Sequence, residues 1–547
     1  MRFPRIALSL FLISISSAFG ASLTPEEVSL IESELGITLS EGQKTDLAAI
    51  VRPDGPTPQW RQDAEGRIAT NRTANLEVKV VNQYGQPVHG AQVDVKMVSN
   101  DFRFGGVMNL KEFSAASNVL SISTDRYKEL FLKLFNAGGL DNGFKQKQRA
   151  GNEHLVPDFI NWAKENELPI RGHTLIWPGT PNNNHLPANL LADVEAVEQA
   201  IADGQSQATI DSLKETLKTN VDAAIAEWAS LWDVYEWDVI NETLTNHRVQ
   251  DLIGDDQMAE WFKIARANVV QPDCELVLNE YQIISAMSDN LRPGHYASRA
   301  DPFKANIDRI LADGGPLTKI GFQSRIKFEH RDPQLIYDRL EDFGSTYGLP
   351  MVGTEFEVRD GEPGSNWYPY DYTEFERAQI TEEMMTQYFS HPLVEGLFIW
   401  TYMKPQNYTL CYPDGTIKLN GLVWYYMHRI KYNTESSQNS DTSGLASMDA
   451  YKGSYDLTVT YGGKVYQSSF SLGDDMTVTV PVVTEGVGTH WGAWEIDENN
   501  WVDTGDWLGR LQVQFAPWVW SLDLEQWLYF PIETVAAGDG WCWINNI

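Results

Sequence analysis

The chain has 547 residues, 42% of them hydrophobic, and 42 basic against 75 acidic side chains give a formal net charge of −33. That length exceeds one ordinary domain and holds a complete barrel of about 250 residues with appendages. The acidic balance argues against nucleic acid, which needs a basic footprint, and against anionic membrane surfaces; it reads as a solubilising exterior.

Residues 1–20 read as a secretory signal: Arg2 and Arg5, an apolar stretch from Ile6 to Ile15, then small residues up to an expected cut near Gly20. The apolar stretch is well short of the roughly 20 residues a membrane span needs, and no later stretch qualifies, so a secreted or periplasmic protein without a membrane span is expected. Residues 21–70 form a helical leader, started by Thr24-Pro25-Glu26-Glu27 and broken by Arg52-Pro53-Asp54-Gly55-Pro56. In 71–101, two alternating runs, Leu76–Val81 and Val93–Val98, flank a Gly-Gln-Pro turn, which predicts a hairpin packed on the following domain.

From 102 to 433, strand-like runs alternate with helical stretches: Leu168–His173, Trp237–Glu242, Glu275–Tyr281, Ile320–Gln323, Met351–Glu355 and Gly396–Trp400. Strand, helix, strand over some three hundred residues means a parallel α/β architecture, here a (β/α)8 TIM barrel. Residues 434–444 are a polar linker, 445–484 a small β module and 485–547 a Trp-rich C-terminal module. Nine of the nineteen tryptophans follow Thr489. Two readings stand for them, a carbohydrate-stacking surface or the core of a small module. Cys274, Cys411 and Cys542 are scattered, so at most one disulfide forms and a zinc site has no support.

Glu242 and Glu355 each close a short apolar run, as a parallel barrel strand does when it delivers a catalytic group to its carboxyl end. An isolated Asn-Glu or Thr-Glu pair is ordinarily a solvated carboxylate. Paired on a barrel's carboxyl face, two acids suffice to cleave a glycosidic bond, one as nucleophile and one as proton donor. No metal or organic cofactor is required by that chemistry.

The motifs from Asn71 to Tyr432 resemble glycoside hydrolase family 10, chiefly endo-β-1,4-xylanases. Arg171-Gly172-His173-Thr174-Leu175-Ile176-Trp177 is similar to one family strand, Trp237–Glu242 to its acid/base strand, and Gly321-Phe322-Gln323, Thr354-Glu355 and Trp400 follow in order. Asp141-Asn142-Gly143-Phe144-Lys145 stands where the family has Glu-Asn-x-x-Lys. The resemblance implies Glu355 as nucleophile and Glu242 as general acid, then base, on xylan as the first substrate expected. It further implies Asn241 at the sugar 2-hydroxyl, with Asn142, Lys145, His173, Trp177, Gln323 and Trp400 binding substrate. Ionised Glu355 is expected to raise the pKa of Glu242.

The chain departs from the family at Pro178, Asp141, Gln146 and Arg325, the last standing where a His normally hydrogen-bonds the nucleophile. Arg325 would hold Glu355 ionised, take a sugar carboxylate or sulfate, or pair with another acid. The alternatives are therefore the same retaining mechanism on an acidic β-glycan, or a non-catalytic carbohydrate-binding barrel. The oligomeric state is left open.

Overall fold

A computed structural model describes residues 22–117, 119–327, 332–360, 371–484 and 490–531, and the backbone of 543–544. The expected signal segment, Trp541 and Cys542 lie outside the described residues. Numbered along the chain, strands β1 (Thr73–Asn82) and β2 (Gln92–Asn100) precede β3 (Arg103–Met108), β4 (Ala137–Leu140), β5 (Ile170–Ile176), β6 (Glu236–Asn241), β7 (Glu275–Glu280), β8 (Lys319–Phe322), β9 (Arg325–Ile326), β10 (Met351–Val358) and β11 (Val394–Ile399). After them come β12 (Glu435–Asn439), β13 (Leu445–Tyr451), β14 (Gly453–Tyr461), β15 (Lys464–Leu472) and β16 (Met476–Val482).

Strands β3 to β8, then β10 and β11, form one parallel sheet that closes through β11–β3 and β10–β11 into an eight-stranded barrel. Two-residue β9 extends the ladder beside the end of β10, Arg325 opposite Glu357. Strands β5, β6 and β10 are buried at every residue, so their sequences run continuously apolar or neutralised instead of alternating. Tight filling explains Gly172, where a Cβ would come within 2.2 Å of the buried Trp237 ring.

The β segments correct the sequence reading in three places. β1 and β2 are not a hairpin: β1 pairs with β13 and β16, whereas β2 pairs with β12 and β14. The two strands lie in different sheets, with Val78 and Val80 sharing one apolar core with Val93, Val95, Leu457 and Val459. The 445–484 segment is therefore half of a sandwich completed by residues 73–100, and the barrel is inserted between the halves. The expected linker is also strand: Glu435–Asn439 pairs antiparallel with β2, Glu435 opposite Lys96, and the Ser440 hydroxyl donates to the Val88 carbonyl at 2.6 Å. Ladder hydrogen bonds need no apolar side chains, and polar side chains suit a sheet edge.

The leader folds as α1 (Pro25–Leu35), α2 (Glu41–Val51) and α3 (Gln59–Asn71), the first two opened by capping boxes at Thr24 and Ser40. Ile31, Leu35, Leu47, Ile50 and Ile68 join the barrel's main core. Arg61 forms a bidentate pair with Glu382 at 2.5 and 2.6 Å inside the nearly wholly buried helix Glu374–Ser390. The C-terminal tryptophans divide between core and surface. Trp491 is buried with Val502, Leu511, Val519 and Leu528, whereas Trp507, Trp518 and Trp527 are exposed. Among the described residues no helix is long and apolar enough to cross a membrane, and Cys274 and Cys411 are free and buried.

Candidate active site

The carboxyl end of the barrel opens into a cavity of about 390 Å³ lined by Glu242, Glu355, Lys145, His173, Trp177, Asn241, Gln323, Arg325 and Trp400, together with Tyr281, Gln282 and Lys327. Of the ten side chains singled out from sequence, Asn142 alone is absent from this lining. It sits in an adjoining cavity of about 240 Å³ that shares Lys145 and Trp177, and its Oδ1 accepts from Lys145 Nζ at 3.2 Å.

Three neighbouring strand exits carry non-glycine residues in the left-handed region: Glu242 (φ 60°) after β6, Gln282 (φ 54°) after β7 and Ser324 (φ 59°) after β8. Each costs of the order of 1 kcal/mol, and at Glu242 local bonds hold the turn. The Glu242 amide donates to the Asn279 carbonyl at 2.8 Å, and its own carbonyl accepts from Asn246 N at 2.9 Å. Glu280 fixes the loop beyond, its Oε2 accepting from Leu244 N at 2.9 Å.

The two acids, Glu355 buried and Glu242 half-buried, stand in opposite electrostatic settings. Burial raises the pKa of Glu242 and the Glu355 charge adds to it, opposed by donation from Gln323 and by Arg325 and Lys145. Gln323 Nε2 reaches Glu242 Oε1 at 2.6 Å and Asn246 Nδ2 reaches Oε2 at 2.9 Å. Burial would raise Glu355 too, but Arg325, His173 and Lys145 outweigh it and hold that carboxyl below its ordinary value. One carboxyl is thus biased toward its protonated form and the other toward its charge, the division of labour a retaining glycosidase needs.

Arg325 is committed to acids: Nη2 donates to Glu355 Oε2, Nη1 lies 3.7 Å from Glu357, and the guanidinium covers the Trp400 ring at 5.2 Å. Gln323, expected against substrate, is held on Glu242. Lys145 Nζ sits 5.2 Å from both the Trp177 and Trp400 ring centres, and burial lowers its pKa. His173 Nδ1 lies 2.7 Å from Asp238 Oδ2, and burial, then Lys145, keeps its ring neutral.

Several site residues escaped the sequence reading. Asn279 donates to Asn241 Oδ1 at 2.9 Å and to Glu355 Oε1 at 3.3 Å, and accepts from Thr354 Oγ1 at 2.8 Å, so it ties both acid strands together. Its signal was present: Leu278-Asn279-Glu280 ends an apolar run in polar residues as Ile240-Asn241-Glu242 does. His185 stacks on Trp177 at 3.5 Å and 4°, from beyond Pro178. Nothing local to its sequence marks it.

The family model described as Glycosyl hydrolase family 10 matches residues 95–411, more than half of the chain. Endo-1,4-beta-xylanase 1 of Arabidopsis thaliana is 23% identical over 409 residues, covering 73% of this chain and 38% of that protein. An anti-sigma-I factor of Acetivibrio thermocellus is 21% identical, covering 74% and 47%. The chain thus spans less than half the length of these curated relatives. A crystal structure of xylanase 10B from Thermotoga petrophila with xylobiose aligns at TM-score 0.45 and 20% identity, covering 59% of this chain and 92% of that one. The barrel itself is established by strand order and closure.

Proposed function

The chain belongs to glycosyl hydrolase family 10, and from that premise we propose that it is an exported enzyme that hydrolyses internal β-1,4 linkages of a polysaccharide with retention, xylan first. The observation that carries this reading is the pair of carboxyls that β6 and β10 bring into one cavity, half-buried Glu242 shifted toward protonation and buried Glu355 toward ionisation. Xylanase names among the relatives support the substrate.

In the proposed first step Glu242 gives its proton to the glycosidic oxygen while Glu355 attacks the anomeric carbon, which forms a glycosyl-enzyme and releases the leaving chain. The Glu355 charge is consumed in the ester, so the repulsion that helped keep Glu242 protonated disappears and Glu242 serves as base toward water. Water then takes the glycosyl carbon, and Glu355 leaves as carboxylate. Asn241, oriented by Asn279 through its Oδ1, keeps its amide group for a sugar hydroxyl. Arg325 keeps the nucleophile ionised between turnovers.

The test is a reducing-sugar assay on xylan, mixed-linkage glucan and acidic glycans, with product anomers followed by NMR. Retention on xylan, and loss of at least about 10⁴-fold in kcat for Glu355→Ala, is expected. No turnover on any polymer, with polysaccharide binding intact, rejects the enzyme reading in favour of a binding barrel.

A further inference from the structure

A line of buried charges runs down the barrel axis away from the catalytic pocket. His173 Nδ1 meets Asp238 Oδ2 at 2.7 Å, and Asp238 Oδ1 accepts from Arg171 Nη2 at 2.6 Å. Arg171 Nε donates to Glu236 Oε1 at 2.8 Å, Glu236 Oε2 accepts from Lys319 Nζ at 2.9 Å, and Lys319 reaches Glu395 at 2.6 Å. From His173 to Lys319 every side chain is at most 3% exposed; Glu395 is 48% exposed, in a cavity at the opposite mouth.

We propose that Glu236 and Lys319 are positioning residues for the glycosidase reaction, acting along this axis to set the protonation of Asp238 and thereby which nitrogen of His173 carries its proton. The inference rests on the function proposed above for the pocket His173 lines.

Arg171 is shared: one guanidinium serves two carboxylates, so its hold on Asp238 depends on what Glu236 takes from it. Lys319 supplies Glu236 with a second cation and frees Arg171 for Asp238. In a dry interior such neighbours are felt strongly. Around Asp238 stand Arg171 and His173 from β5 and Glu236 on its own strand, while β7 offers Val277 in register. Through His173 come Lys145, Arg325 and Glu355; through Glu236, Lys319 on β8 and Glu395 on β11.

The consequence is chemical. With Asp238 ionised, His173 donates Nδ1–H to it and presents Nε2 as an acceptor to the pocket. With Asp238 protonated, its hydroxyl donates to Nδ1 and the imidazole proton sits on Nε2, which turns the bond offered to a sugar hydroxyl around. Burial, partly offset by Arg171, raises Asp238 to about 6, and Glu236 adds to that rise, so the exchange falls within a working pH range.

Long-range ¹H–¹⁵N correlation of the ¹⁵N-histidine-labelled full chain reads the tautomer of His173 directly, its signal identified by loss in His173→Gln. In the wild type the Nδ1–H form gives way as pH falls through about 6. Glu236→Gln removes a charge that raises Asp238, so the midpoint moves down by roughly 1 unit, and the pH at which KM for xylan changes moves the same way. The charge-balanced Glu236→Gln/Lys319→Met moves it in the same direction by less, and serves if the single variant does not fold. An unmoved or raised midpoint in the folded variants overturns the proposal. If no polymer is turned over, the proposed function fails, yet the tautomer titration still decides the axial line.

Discussion

Arg325 holds Glu355 where a neutral partner would leave burial to dominate: its guanidinium donates to Oε2 while Asn279 reaches Oε1 at 3.3 Å. The carboxyl is therefore depressed in spite of complete burial. A nucleophile must be ionised, so activity fails as pH falls through the Glu355 pKa. Arg325→Met removes the chief lowering charge, and the acid limb of kcat/KM should move to higher pH. The same change strands Glu355 and, among the described residues, leaves Glu357 its pair with Arg359 at 2.6 Å, for a loss of about 3 kcal/mol at neutral pH. A pH–rate profile and urea unfolding check both; an unmoved acid limb would show that Lys145 suffices.

Glu280 is fully buried, one strand from Glu242, and burial pushes its pKa up to about 8 against donation from Leu244 N and the Arg299 charge. Its folded pKa lies above the unfolded value, so its contribution to stability is present below the unfolded carboxyl pKa and is lost as pH rises through about 8. Glu280→Gln keeps an oxygen for Leu244 N and cannot ionise. The variant should gain on the wild type as pH rises from about 4.5 to 8, by something of the order of 3 kcal/mol. Denaturant unfolding across that window measures it, and parallel stability curves would refute the assignment.

What the sequence yields and withholds follows from range. The acid strands are legible because β6 and β10 carry apolar runs that end in charge, and that pattern is local. β4 is Ala137-Gly138-Gly139-Leu140, four residues without a β-branched or aromatic side chain, and only its neighbours make it a strand. Period-two alternation identifies β1 and β2 but not their partners, since Leu76 pairs with Met476 four hundred residues on. Arg325 had three readings with one sequence, and only placement beside Glu355 and Glu357 chooses among them. His185 returns to Trp177 over a loop whose course no local pattern dictates.

Gln323 and Asn246 donate to the two oxygens of Glu242. Donors favour the ionised form, so they work against the protonation that a general acid needs, and Gln323 brings the pKa down from where burial and Glu355 would leave it. Gln323→Ala should let that pKa rise by about 1 unit. The acid is lost as pH climbs through its pKa, so the basic limb of kcat/KM moves upward while the acid limb stays. Asn246→Ala should shift the same limb, and a downward shift in either variant contradicts this account.

The pair Arg61–Glu382, neither residue of which lines the pocket, clamps the helical leader to the barrel. Glu382 is fully buried, and its other cation, Lys431, stands 3.8 Å away. Removing one partner of a buried pair costs far more than the pair gains, because the remaining charge is left without a close counter-ion. Arg61→Met should cost about 3 kcal/mol and lower the melting temperature by roughly 3 °C, while Arg61→Met/Glu382→Leu recovers much of that loss. Neither atom of the pair lines the cavity, so kcat/KM well below the transition should keep its wild-type value in both variants. Loss of activity without loss of stability would instead make the leader part of the catalytic machinery.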